Sequence, residues 1–132
     1  MISTTALADT SFFVARETGR PMATAMSRGI LISTITIGEL SLGVQAARTE
    51  ADRSRRLATL LMASEHEVVA PNRIVASVWS QLMSEITRSG RRLPKARVND
   101  GWIAATARAH GVPVITQDAG FAAFPGVQVI RV

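Results

Sequence analysis

The 132-residue chain is 47% apolar and carries 15 basic against 10 acidic residues, a formal net charge of +5. It has no cysteine, which excludes a disulfide framework and a thiolate metal site, and it is too apolar to be a disordered chain. No apolar run approaches the roughly 18–20 residues of a membrane span, and Asp9 falls where a secretion signal would be apolar, so one cytoplasmic domain over residues 1–132 is expected.

Ile2 to Ala8 reads as a first strand ending at Asp9, after which Ser11 is placed to cap a short helix from Phe12 to about Gly19. A second short helix is expected over Pro21 to Arg28, then a buried strand at Ile30 to Ser33. Thr34 is placed to cap the next helix, which runs to about Ala47 with Ile37, Leu40 and Val44 on one face. Glu50 to Ser64 is amphipathic, with Arg53, Arg55 and Arg56 expected outward and Leu57, Leu60 and Leu61 inward. Val68 to Ala70 is a short strand, and Asn72 caps a helix to about Ser89 that turns Ile74, Val75, Val78, Leu82 and Ile86 to the core.

Gly90 ends that helix and opens a basic loop broken by Pro94. Asn99 or Asp100 starts an Ala-rich helix to His110, with Gly111 as its C-cap. Val112 to Thr116 is a strand, Gln117 to Gly126 a loop with about one helical turn, and Val127 to Val132 a last strand. Strands alternating with helices imply an α/β fold, a parallel sheet with helices on both faces.

In such folds ligands bind beyond the carboxyl ends of the strands. Asp9 and Asp118 end strands there. Asp100 begins a helix whose tight Gly111 connection leads back to the strand of Asp118, so both lie at one edge. Glu39, about one turn into the helix after the second strand, points to that edge too. Taken singly, Asp9 and Asp100 also read as helix caps and Asp118 as a turn residue, whereas Glu39 in an apolar helix is costly if unpaired. Together, four carboxylates repel one another unless a cation joins them, and hard divalent ions want such oxygen ligands. An acidic pocket in a basic protein points to Mg²⁺ or Mn²⁺ bridging carboxylates and a phosphodiester.

The segments around these acids, Ala8-Asp9-Thr10-Ser11, Thr36-Ile37-Gly38-Glu39-Leu40, Val98-Asn99-Asp100-Gly101-Trp102-Ile103-Ala104-Ala105-Thr106-Ala107 and Thr116-Gln117-Asp118, resemble in order the motifs of PIN-domain ribonucleases. They are most similar to those of VapC, the toxin of VapBC type II toxin–antitoxin systems, and the closing run Phe124 to Ile130 extends the likeness over almost the whole chain. The resemblance implies a PIN-like three-layer α/β/α domain with a short, mostly parallel sheet. It implies a Mg²⁺- or Mn²⁺-dependent endoribonuclease that cuts structured cellular RNA, tRNA or ribosomal RNA, and stops translation. Asp9, Glu39, Asp100 and Asp118 would be its catalytic, metal-binding quartet. Thr116 would place a hydroxyl beside the site and Asn99 a second polar group, although Thr116 equally suits a β-strand for its branched side chain. Relatives are homodimers neutralised by a small cognate VapB-like antitoxin. The chain departs from the pattern at Asn72, where relatives often carry aspartate.

Only Lys95 among the fifteen basic residues is lysine; the arginine fork suits phosphate, and a high-GC genome gives the same bias. Arg88, Arg91, Arg92, Lys95 and Arg97 run into Asp100 and are placed to grip RNA phosphates; an ordinary solvated loop is the alternative. Trp102 suits base stacking or a core or dimer surface, and Trp79 with Met83 an apolar stripe. A housekeeping RNA-processing nuclease and a noncatalytic RNA-binding module are the other readings. A phosphotransfer domain is disfavoured: a dehalogenase-type nucleophile needs a second aspartate at position 11, where Ser11 stands, and a receiver needs a lysine after a late strand, whereas Lys95 lies in a loop.

Overall fold

The computed structural model of the chain describes residues 5–19, 29–94 and 97–132. The helix expected over Pro21 to Arg28, the start of the strand expected from Ile2, and Lys95 lie outside the described residues. Five strands, β1 (Thr5–Ala8), β2 (Gly29–Ser33), β3 (Glu67–Val69), β4 (Val114–Thr116) and β5 (Val129–Arg131), form one sheet in the order β3-β2-β1-β4-β5. Every pairing is parallel, so the sheet is wholly parallel where a mostly parallel one was expected. The helices are α1 (Thr10–Glu17), α2 (Thr34–Gln45), α3 (Glu50–Ala63), α4 (Arg73–Arg88) and α5 (Val98–His110), with a 3₁₀ helix at Ala119–Ala123.

Alternation along the strands divides the core in two, because successive side chains leave opposite faces of a sheet. Ala6, Ala8, Ile32 and Ile115 face Phe12, Phe13 and Ala15 of α1, Leu40 of α2 and Ala63 of α3. Leu7 and Val114 face Val75, Leu82 and Ile86 of α4 and Ile103, Ala104 and Ala107 of α5. The Ala-rich α5 lies close against α4, because a Cβ on Gly101 would already come 3.1 Å from Met83. Gly111 stops α5 in the left-handed conformation at φ 66°, which glycine takes without a Cβ clash.

Several local expectations change. The cap of α1 is Asp9, whose side chain accepts the Phe12 amide, so the helix starts at Thr10 rather than after Ser11. Ser33, not Thr34, caps α2 by accepting the Ile35 amide. Helix α5 begins at Val98 with Arg97 at its cap position and no side-chain cap bond, which leaves Asp100 in the first turn rather than at the cap. β4 starts at Val114, not Val112. In α3, Leu57 and Leu61 are exposed while Thr59 and Ala63 are buried; in α4, Ile74 is 66% exposed.

Asn72 does cap α4, its side chain accepting the Val75 amide at 3.0 Å. Asn72→Ala is expected to lower stability by about 0.5–2 kcal/mol and to leave any chemistry at the acidic edge untouched, as thermal melts beside an activity assay will show. No helix among the described residues is long and apolar enough to cross a membrane.

Candidate functional site

Crossovers from β1 run to β2 on one side, while β4 lies on its other side, so the sheet switches direction between β1 and β4. Open α/β sheets leave a crevice at the carboxyl ends of such a pair. Asp9 follows β1 and is 3% exposed. Its Oδ2 accepts the hydroxyl of Thr116, the last residue of β4, at 2.8 Å, and Oδ1 accepts the Phe12 amide at 3.1 Å. Ser11 donates to the same carboxylate at 2.9 Å and lies 3.0 Å from Thr116, while accepting the Gln117 amide at 3.0 Å. Burial raises the Asp9 pKa above the ordinary carboxylate value; donors from Thr116, Ser11 and Phe12 pull it back, and Asp118 repels it further up.

Glu39 reaches this edge from α2, where it accepts the Thr10 hydroxyl at 2.6 Å across to α1. Asp100 reaches it from the first turn of α5. Burial pushes the Asp100 carboxyl up to about 6; Arg97 opposes that rise, and the charges of Asp9, Asp118 and Glu39 add to it. The Asp100 carboxyl thus feels all three other acids. Asp118 closes the edge by capping the 3₁₀ helix, its Oδ1 accepting the Gly120 amide at 2.7 Å. Arg97 joins Asp100 and Asp118: Nη1 donates to Asp100 at 3.0 Å and to Asp118 at 2.7 Å, and Nη2 to Asp118 at 3.2 Å. Those bonds and the Gly120 amide hold the Asp118 carboxyl below its ordinary value.

An all-oxygen set of carboxylates, Asp9 buried and Glu39, Asp100 and Asp118 half-buried, suits a hard divalent ion, which the four would hold. Among the described residues, however, no group of three or more acidic or histidine side chains is arranged around one point in the way a bound ion needs. The Arg97 fork ties two of the four acids to itself.

Other expected residues divide. Thr116 is fully buried and bonded to Asp9, with the Asp118 amide donating to its hydroxyl at 2.9 Å. Asn99 is exposed on the first turn of α5, and among the described residues no hydrogen bond joins it to the four acids. Arg91, Arg92 and Arg97 line a cleft of about 160 Å³ beside Gly120. Arg88 stands at the end of α4 near Glu85. On the other side a cleft of about 320 Å³ is lined by Thr10, Glu39, Val14, Leu40 and Arg56. Glu39 thus lines one cleft, and Arg97, the partner of Asp100 and Asp118, lines the other. Trp102 is stacked flat on Trp79, centroids 4.7 Å apart, so that face is not free for a base.

Sequence reading missed the roles of Thr10, Ser11 and Gly120, and assigned Arg97 only to RNA. Two hydroxyls in the turn after Asp9 are the available signal for the first pair. No sequence pattern announces Gly120, which matters through what its missing side chain leaves room for.

A PIN domain family model matches residues 6–127. The chain is 42% identical to ribonuclease VapC5 of Mycobacterium tuberculosis over 128 residues, covering 94% of this chain and 93% of that protein. It is 39% identical to ribonuclease VapC4 of the same organism over 130 residues, 96% of each. The structure of VapBC-5, a member of the VapBC family of toxin–antitoxin systems from M. tuberculosis, superposes with a TM-score of 0.85 at 37% identity, covering 98% of this chain and 99% of that one.

Proposed function

Because the chain belongs to the PIN-domain family and, within it, to the VapC ribonucleases, we propose that it is a metal-dependent endoribonuclease. We assign it structured cellular RNA, tRNA or ribosomal RNA, as substrate, with translation stopped by the cut. The observation that carries this reading is the meeting of the acids at the β1–β4 switch, where Thr116 links Asp9 to the Asp118 amide and Arg97 links Asp118 to Asp100.

When bound, Mg²⁺ or Mn²⁺ supplies an activated water and stabilises charge on the attacking and leaving oxygens. The chain supplies the rest. Thr116 and Ser11 donate to Asp9 and fix its carboxylate. Thr10 fixes Glu39 in the same way. Arg91, Arg92 and Arg97 line the cleft on the Asp118 side, where RNA phosphates meet positive charge.

A small VapB-like antitoxin is the partner this reading requires, with the toxin itself a homodimer in the cytoplasm. Val14, Leu42, Leu57 and Leu61 are exposed on α1, α2 and α3, the helices that line the larger cleft. That apolar surface suits an antitoxin segment.

The test is to purify the protein free of any partner and incubate it with total cellular RNA and Mn²⁺ or Mg²⁺. Discrete cuts are expected, absent with EDTA, restored by added metal, and absent with Asp9→Asn. Uncut RNA with the folded, metal-supplied protein across several RNA pools would move the reading to a noncatalytic RNA-binding module. A housekeeping nuclease is separated from a toxin by expression: a toxin arrests growth, and co-expression of a neighbouring antitoxin gene releases the arrest.

A further inference from the structure

A Cβ on Gly120 would fall inside the guanidinium of Arg97, so this position is glycine-sized because the arginine fork fills the space above it. That fork donates to Asp100 and, through both its nitrogens, to Asp118. It reaches them from the residue just before α5, with its side chain 30% exposed.

We propose that Arg97 is a resident counter-ion of the acidic cluster, and that a divalent metal enters only in exchange for it. The inference rests on reading the cluster as a metal site. Arginine and metal compete for the same oxygens of Asp100 and Asp118. The fork is a monocation of fixed shape that satisfies two acids, whereas a divalent ion draws in further carboxylates. The displaced side chain has a place to go, because Arg97 and Gly120 both line the cleft of about 160 Å³ that also holds Arg91 and Arg92. Exit into that cleft turns the cation from the acids towards the proposed path of the RNA backbone. The metal's apparent affinity is then reduced by the fraction of molecules whose acids are free of Arg97.

Two substitutions separate eviction of the fork from simple loss of charge. Arg97→Gln removes the cation. Gly120→Ala keeps it but puts a methyl group where the guanidinium sits, and only the far end of a flexible side chain must move. Mn²⁺ binding to the partner-free protein, measured by calorimetric titration and by the EPR signal of free Mn²⁺, needs no RNA. Both variants are expected to bind Mn²⁺ roughly tenfold more tightly than wild type, as for a site about nine-tenths occupied by arginine.

Unchanged or weaker binding in either variant, with melts showing both folded, overturns the exchange. Failure of all three proteins to bind Mn²⁺ overturns it as well. RNA cleavage by wild type with and without EDTA reports separately on the nuclease. Cleavage with equal Mn²⁺ affinities removes the exchange and keeps the nuclease; tightened affinities without cleavage do the reverse.

Discussion

Asp100→Asn is expected to cut metal-dependent RNA cleavage by roughly 10²–10³-fold while making the metal-free protein more stable. Both effects follow from one carboxyl group. In the folded chain its pKa is pushed up to about 6 from an ordinary 3.8, first by burial, and by its acidic neighbours against the pull of Arg97. Between those values the unfolded chain has released the proton and the folded chain still holds it, so stability falls as pH rises from about 4 to about 6, then levels off. At neutral pH the ionised carboxylate is thus a net cost of about 1–2 kcal/mol once solvent screening is allowed for at a side chain 22% exposed. An amide carries no such charge and so removes that cost, and it is also a poor substitute as a metal ligand. Melts in EDTA at pH 5 and pH 7 should show the variant's advantage growing with pH. A variant less stable than wild type at pH 7 would mean that pairing with Arg97 outweighs burial and repulsion.

Thr116→Val is expected to lower cleavage about 10–100-fold at neutral pH and stability by about 1–3 kcal/mol. Valine keeps the shape of this fully buried side chain, so the loss is specific to the hydroxyl. Asp9 loses a donor at 2.8 Å, and the Asp118 amide loses an acceptor at 2.9 Å. A donor to the charged form holds a carboxyl pKa down, so removing this one raises an Asp9 pKa that burial has already lifted. Metal binding requires the ionised form, and the acid limb of the activity profile should therefore move to higher pH. Thr116→Ser, which keeps the hydroxyl, should restore the profile. An unshifted acid limb in the valine variant would show that Thr116 serves only the strand.

The sequence made the acids legible because each sits where a period changes: Asp9 ends an apolar run, Asp100 precedes a run of alanines, and Glu39 interrupts an apolar helix. Chain order and the alternation of strand and helix then bring such positions to one edge. What stayed hidden is set by side-chain reach. Arg97 reads as one of five basic residues between Arg88 and Arg97, and only its three-dimensional path shows it turned inward to Asp118, 21 residues away. The inward face of α3 was also misread. Leu57, Leu60 and Leu61 form an apolar set, yet the helix buries Thr59, whose hydroxyl donates to Glu17 on α1 at 2.8 Å. Periodicity identifies a face able to be covered, and it does not say whether this chain or another covers it.

The place of β1 has a consequence for the chain's own synthesis. Asp9 is made before most of the domain, but one of the donors that fix its carboxylate, Thr116, follows 107 residues later. The central strand pairs with β4 only after nearly the whole chain has been made. A chain made only as far as α5 therefore holds Asp9 without Thr116 or Asp118. The acidic edge is therefore completed late, once β4 has joined β1.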